Sequence, residues 1–424
     1  MLSTGVRGLQ VRLRDKMTEN RAFDHHIGRA PAGRGPKAAR RTRGGRSSVV
    51  VLAAAMALQT GVAAGQLSTA DHLAEAGFWP TQDQPSRGEF TGPEACARCH
   101  ALKTAAQEQT PMARNLMPGG AAEILHAQPA LTFSVGDFKY RIDTGASQAT
   151  YSVANRSQRL SYPLTWAFGT GRVAQSYLFK KEDGGFYEAR TSYFTSSKAL
   201  DFTPTRDLLS PSGVEEAMSR PVGPDEIQRC FACHATASSI AGRFDEKHLI
   251  PGVTCEACHG PGAGHIRSMD KHGPNEIGTA KSVIFNPGDL LAADAVDFCG
   301  ACHGTWWDTK LSGVKGVSTA RSAPYRLVTS KCWGTGDARL TCTACHDPHR
   351  QLQTDASDYD PICLSCHVHR AGEKPTSSHP GAACPKATRK CTDCHMEKVY
   401  VPEMRANFTD HRIRISHPGE PFPE

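Results

Sequence analysis

Between residues 131 and 200 apolar and polar positions alternate. Leu131-Thr-Phe133-Ser-Val135, Phe138-Lys-Tyr140-Arg-Ile142, Tyr151-Ser-Val153 and Tyr177-Leu-Phe179 are separated by the turn signals Gly136-Asp137, Thr144-Gly145 and Asp183-Gly184-Gly185. A period of two bounded by Gly and Asp predicts a β-rich unit of short hairpins, placed at 131–205. Its aromatics, Trp166, Phe168, Tyr177, Phe186, Tyr187, Tyr193 and Phe194, are expected to form its core. Upstream, a helix is predicted from Ala101 to about Met117, where Met112 and Met117 read as packing residues. Downstream, Pro211, Pro221 and Pro224 suggest a hinge, followed by short helices and irregular loops rich in Gly, Pro and Asp.

One further apolar run, Val49 to Leu58, follows the basic stretch Arg40-Arg41-Thr-Arg43-Gly-Gly-Arg46 and precedes the small residues Val62-Ala63-Ala64-Gly65. That order is the grammar of a secretory signal peptide, and the run is short for a bilayer span. Residues 1–65 are therefore expected to be removed on export, leaving a periplasmic or otherwise exported chain. The basic stretch is long for such a segment, and Met17 offers a later start.

Seven copies of one pentad, C-x-x-C-H, organise the rest. They are Cys96-Ala-Arg-Cys99-His100, Cys230-Phe-Ala-Cys233-His234, Cys255-Glu-Ala-Cys258-His259, Cys299-Gly-Ala-Cys302-His303, Cys342-Thr-Ala-Cys345-His346, Cys363-Leu-Ser-Cys366-His367 and Cys391-Thr-Asp-Cys394-His395. Two thiols three positions apart can form thioethers to the two vinyl groups of a porphyrin, and the next imidazole can ligate its iron. On a helical turn these positions share one face. A thioredoxin-like redox pair or structural zinc would account for a single C-x-x-C, but neither requires a His after every pair. The pentads predict seven covalently bound haem c groups, with iron ligated by His100, His234, His259, His303, His346, His367 and His395. Four units follow: leader (1–65), lead-in and first haem site (66–130), β-rich unit (131–205) and six-haem domain (206–424).

Composition agrees with this division. The chain has 39 Gly and 27 Pro among 424 residues, poor material for long helices, so porphyrins are expected to stand in for much of an apolar core. Its +7 charge sits in the leader, where residues 1–65 hold 12 Lys/Arg against 3 Asp/Glu. The remainder is near neutral, and no basic face for nucleic acid is implied.

Longer stretches resemble a known group. Phe168-Gly-Thr-Gly-Arg-Val-Ala-Gln-Ser-Tyr-Leu-Phe179, Tyr187-Glu-Ala-Arg-Thr-Ser-Tyr193, Gly252-Val-Thr-Cys-Glu-Ala-Cys-His-Gly-Pro-Gly-Ala-Gly-His265, Leu340-Thr-Cys-Thr-Ala-Cys-His-Asp-Pro-His349 and Thr409-Asp-His411-Arg-Ile-Arg414 are similar to segments of the cytochrome c five-five-four and c-prime family. A doubled module lies at Cys342–His367. The resemblance spans about residues 90–415. It implies a multihaem cytochrome in which short α-helices and irregular loops wrap around stacked and perpendicular haem pairs. It also implies electron transfer as the usual role. The β-rich hairpin unit is foreign to the small tetrahaem members.

The second axial ligands separate two functions. Two His close an iron and suit electron transfer, whereas an open face can bind substrate. Ten His lie outside motifs and leader: 72, 126, 248, 265, 272, 349, 369, 379, 411 and 417. By position and resemblance His265, His349 and His411 are the expected distal ligands, and His126 is expected to serve the first haem. His248, His369 and His379 are further candidates, while His72 and His417 are expected at the surface. Cys332 and Cys384 belong to no motif and are read either as a disulfide or as two free thiols. The first function is electron transfer between periplasmic or membrane-bound redox proteins. The alternative is a multi-electron oxidoreductase acting on a small nitrogen or sulfur compound at an open haem, at Cys96 or Cys299. All seven motifs end in His, so the Lys-bearing variant of the pentahaem nitrite reductases is absent.

Overall fold

A computed structural model describes residues 87–204, 210–240, 243–273, 284–334, 339–367, 384, 386–417 and 419–424. The expected signal peptide, most of the lead-in, His72, His369 and His379 lie outside the described residues.

The alternating stretch forms one antiparallel sheet of ten strands. They are β1 (Leu116–Pro118), β2 (Ala130–Val135), β3 (Phe138–Thr144), β4 (Ala149–Ala154), β5 (Arg159–Phe168), β6 (Ala174–Lys180), β7 (Phe186–Ala189), β8 (Thr191–Phe194), β9 (Ala199–Phe202) and β10 (Ser219–Val222). The order is β10-β7-β6-β5-β4-β3-β2, with β1 pairing β5, β8 pairing β6, and β9 pairing β8. Gly136 takes φ 56° between β2 and β3, the positive φ that a two-residue hairpin needs at its first position.

The alternation decides which face is buried. Tyr140 stands opposite Val153 and Ile142 opposite Tyr151, all at most 1 % exposed. Each such side chain stabilises the sheet by roughly 1.5–3 kcal/mol through area removed from water. One irregularity re-aims the other face: the β5–β6 register slips between Leu164 and Trp166. Without that bulge, Leu164 and Trp166 would share a side. With it, Leu164 and Ala167 join the main core, while Trp166 and Phe168 point the opposite way, together with Leu178 and Phe186.

This corrects the expected single aromatic core. Tyr177, Tyr187 and Tyr193 belong to the main core, but Trp166, Phe168 and Phe186 pack on Phe231 and Cys230 of the second motif. The ring of Phe231 lies 5.7 Å from Trp166, 5.2 Å from Phe168 and 4.6 Å from Phe244.

Two further expectations shift. The first helix runs Pro93–Gln107 rather than from Ala101 to Met117, and so contains the first pentad. Pro93 is preorganised for the first helical turn, and Pro111 disfavours helix at Thr110. Met117 therefore lies in β1 and packs on the sheet core. The Pro-rich stretch is not a bare hinge: Val214–Met218 is helical, Pro221 sits on the edge strand β10, and Pro224 opens the second motif's helix. An edge strand tolerates Pro because its outward N–H has no partner to lose.

From Pro224 onward, short helices alternate with loops, and among the described residues the strand pairs are two-residue bridges plus one hairpin, Lys398–Val401 with Ala406–Thr409. Arg405 fixes that hairpin to the sheet, bonding Asp201 at 2.9 Å and lying 4.1 Å over the Phe194 ring. Among the described residues no helix is long and apolar enough to cross a membrane.

Candidate haem sites

Each pentad coincides with a short helix: Pro93–Gln107, Pro224–His234, Cys255–His259, Ala292–His303, Cys342–Cys345, Asp360–His367 and Cys391–His395. Helical spacing brings the two thiols to one side, as attachment to a flat ring requires, and the imidazole follows directly, although His346 lies just past its helix in extended backbone and His100 departs from helical angles. Among the described residues no three or more His, Cys, Asp and Glu converge as a chelate for a bare metal ion, which the zinc alternative needs.

The ring nitrogens test the fit to haem. A ligating His holds one nitrogen with a hydrogen bond and offers the other to the metal. His234 Nδ1 is 3.2 Å from the Asn115 carbonyl, His259 Nδ1 2.9 Å from Phe285, and His395 Nδ1 3.0 Å from Arg414. Outside the motifs, His411 Nδ1 lies 3.0 Å from the Thr409 carbonyl and His349 Nδ1 3.2 Å from the Asp347 carboxylate. In all five, Nε2 is the nitrogen left for iron. Burial lowers the pKa of His234, His259, His303 and His346. Burial, and then the neighbouring His346, push His411 down to about 4. These imidazoles are thus held neutral, the form in which a nitrogen lone pair can ligate.

Two imidazole pairs stand at one spacing. The rings of His259 and His349 are 6.1 Å apart between centres and within 16° of parallel. Those of His346 and His411 are 6.2 Å apart at 52°. A His–metal bond is about 2 Å. Two such bonds plus half a ring on each side place the centres of two axial imidazoles roughly 6 Å apart. The spacing therefore matches an iron between each pair, with His346 of the fifth motif and His349, three residues after it, facing different partners.

The motifs neighbour one another only partly in chain order. Thiols within hydrogen-bonding reach join Cys96 to Cys255, Cys233 to Cys302, Cys299 to Cys342 and Cys363 to Cys391. Cys233 Sγ also lies 3.7 Å from the Ala301 carbonyl. The first motif thus adjoins the third, and the fourth meets both the second and the fifth. The sixth meets the seventh.

Two carboxylates missed in the sequence hold this arrangement. Glu256, between the cysteines of the third motif and 2 % exposed, accepts from Thr91 N at 2.9 Å, Gly92 N at 2.8 Å and Gly262 N at 2.7 Å. It joins the start of the first motif's helix to the start of the helix Ala263–His272, which carries His265. Asp360 opens the sixth motif's helix and accepts from Lys390 N at 2.7 Å and Cys391 N at 2.8 Å, at the start of the seventh. An acidic residue inside or at the head of a pentad was the available signal; the partners were invisible because they lie far away in sequence. Beside the first motif a cavity of about 500 Å³, lined by Phe90, Pro93, Glu94, Gln107 and Ile250, has the size of a cofactor site.

The other candidates separate by geometry. His126 is exposed on the helix Glu123–Ala127, and its Nε2 is 2.7 Å from the Gly120 carbonyl, which leaves only Nδ1 free in this arrangement. His248 has the ligand-like pattern, Nδ1 2.9 Å from Asp245, but its side chain is half exposed. His265 is partly buried, and His272 and His417 are exposed. No disulfide joins Cys332 and Cys384: Cys384 is exposed, while Cys332 neighbours Cys363.

Matches to the sequence are consistent with one class, the multihaem c-type cytochromes. In particular, residues 196–260, holding the second and third motifs, match the family described as Cytochrome c554 and c-prime. Over 204 residues the chain is 24 % identical to the multihaem cytochrome MtrA of Shewanella baltica (strain OS185), covering 44 % of this chain and 52 % of that protein. The chain thus spans about half the length of the curated relative it matches. It is also similar to the crystal structure of the outer cell wall cytochrome OcwA, with a TM-score of 0.44 and 14 % identity over 77 % of this chain and 80 % of that one.

Proposed function

We propose that this chain is an exported electron-transfer protein that binds seven haem c groups and passes electrons between redox partners outside the cytoplasmic membrane. Haem c supplies an iron that changes oxidation state by one electron, at a potential tuned by its axial ligands and surroundings. The chain's residues do the rest. The cysteine pairs Cys96/Cys99, Cys230/Cys233, Cys255/Cys258, Cys299/Cys302, Cys342/Cys345, Cys363/Cys366 and Cys391/Cys394 would anchor each ring, and the motif His would take one side of each iron. His349 would close the iron of the third motif and His411 that of the fifth. The Glu256 clasp favours His265 over His126 for the first haem.

The observation that carries this reading is the pairing of imidazoles across 6.1 and 6.2 Å, each with one member from a motif and one from outside it. Closed bis-imidazole sites suit electron transfer rather than substrate binding. The packing of the motifs against each other supports the same role, because short gaps between centres favour passage.

Mass spectrometry of the mature chain, made in a host able to attach haem c, is expected to show seven added haems and loss of the leader. The optical spectrum should be low-spin and unchanged by carbon monoxide, nitrite or hydroxylamine. A bare polypeptide mass would end the proposal. A high-spin fraction of one iron in seven that responds to those ligands would replace electron transfer with the oxidoreductase alternative.

A further inference from the structure

His411 lies in a segment with no regular structure, directly after the hairpin Lys398–Thr409. Side chains hold it instead. Asp410, 1 % exposed, is gripped through both oxygens by Arg326, at 2.7 Å from Nε and 2.8 Å from Nη2. The Arg326 side chain is fully buried, its Nη1 donates to the Pro423 carbonyl at 2.9 Å, and its guanidinium lies 4.4 Å over the Phe422 ring. The Asp410 carboxylate also takes the Arg412 N–H at 3.0 Å, and Ser330 Oγ meets the His411 carbonyl at 3.3 Å and the Ile413 N–H at 2.8 Å.

A charge pair this deep adds little stability over apolar residues of the same volume, because desolvation offsets attraction. What a bidentate fork adds is direction: it fixes its partner in distance and in plane. The partner here is the residue next to His411, whose ring faces His346 at 6.2 Å. We propose that Arg326 and Asp410 are positioning residues that hold His411 as the second axial ligand of the haem anchored at Cys342 and Cys345. This rests on the bis-imidazole reading above.

The test uses the full haem-loaded chain and three variants: Asp410→Asn, Arg326→Lys and His411→Gly. Haem number is read by mass, and carbon monoxide binding is counted per haem in the reduced protein. His411→Gly should open one iron in seven to carbon monoxide, and added imidazole should close it again. If it opens none, His411 is not a ligand, and both the pairing and this inference fall. Asp410→Asn should open the same single iron with all seven haems present, and Arg326→Lys should open it in a smaller fraction of molecules. If His411→Gly opens an iron while neither clamp variant does, the ligand assignment stands and the positioning role is overturned. Should Asp410→Asn lose haem altogether, Arg326→Lys decides; loss of haem there too assigns the pair to folding and overturns the proposal.

Discussion

The imidazoles of His259 and His349 lie nearly parallel, with 6.1 Å between ring centres. One belongs to the third motif; the other follows the fifth, three residues after a motif His that pairs elsewhere. Replacing His349 with Met would exchange a nitrogen ligand for a thioether, which raises a haem's potential. A redox titration of His349→Met should show one haem of seven moved upward by a sizeable part of the roughly 0.8 V that axial ligands span. An unchanged titration would remove His349 from the ligand set.

Glu256→Gln keeps the size of the buried side chain but removes the charge that meets the amides of Thr91, Gly92 and Gly262. Hydrogen bonds to a charged acceptor are worth about 1.5–3 kcal/mol each, and the amide retains part of that. A loss of roughly 3 kcal/mol is expected. Denaturant unfolding should show a lower midpoint at unchanged slope, the sign of altered stability rather than altered compactness.

Phe231→Ala empties the space between Trp166, Phe168 and Phe244. Truncating a buried Phe costs about 3–5 kcal/mol. Because that ring sits between the cysteines of the second motif, the circular dichroism of the haem band should change along with stability, while the far-ultraviolet signal of the sheet remains.

Acid should loosen the join between the sixth and seventh motifs. The backbone N–H of Cys391, aided by that of Lys390, holds the Asp360 carboxyl below its ordinary 3.8. A carboxylate with a lowered folded pKa stabilises fully above its unfolded value, and that contribution disappears as pH falls through the folded one. The wild type should therefore lose this increment below about pH 4. Asp360→Asn should be less stable at neutral pH and show a shallower acid loss, read by following unfolding against pH.

Withholding haem should affect the two parts of the chain unequally. The sheet of residues 116–222 buries its own core, whereas the short motif helices have few apolar partners among themselves. A fold that assembles around a cofactor comes apart without it. Limited proteolysis of chain made without haem attachment should digest residues beyond Pro224 and spare the sheet.

Much of this was legible in the residue order, because its causes are local. The pentads carry their expected chemistry in their order, since thiols at i and i+3 share a helical face and the imidazole follows directly. The alternation from Leu131 and the turn at Gly136-Asp137 foretold β2 and β3, because strand period and hairpin geometry depend on neighbouring residues alone. Tertiary structure decided what depends on distant partners. A single-residue slip beside Leu164 turned Trp166 and Phe168 from the sheet's core to the second motif. The partner of His259 is His349, and the residue that steadies His411 through Asp410 is Arg326. No local rule carries such pairings, since the energy that selects them appears only when the segments pack together.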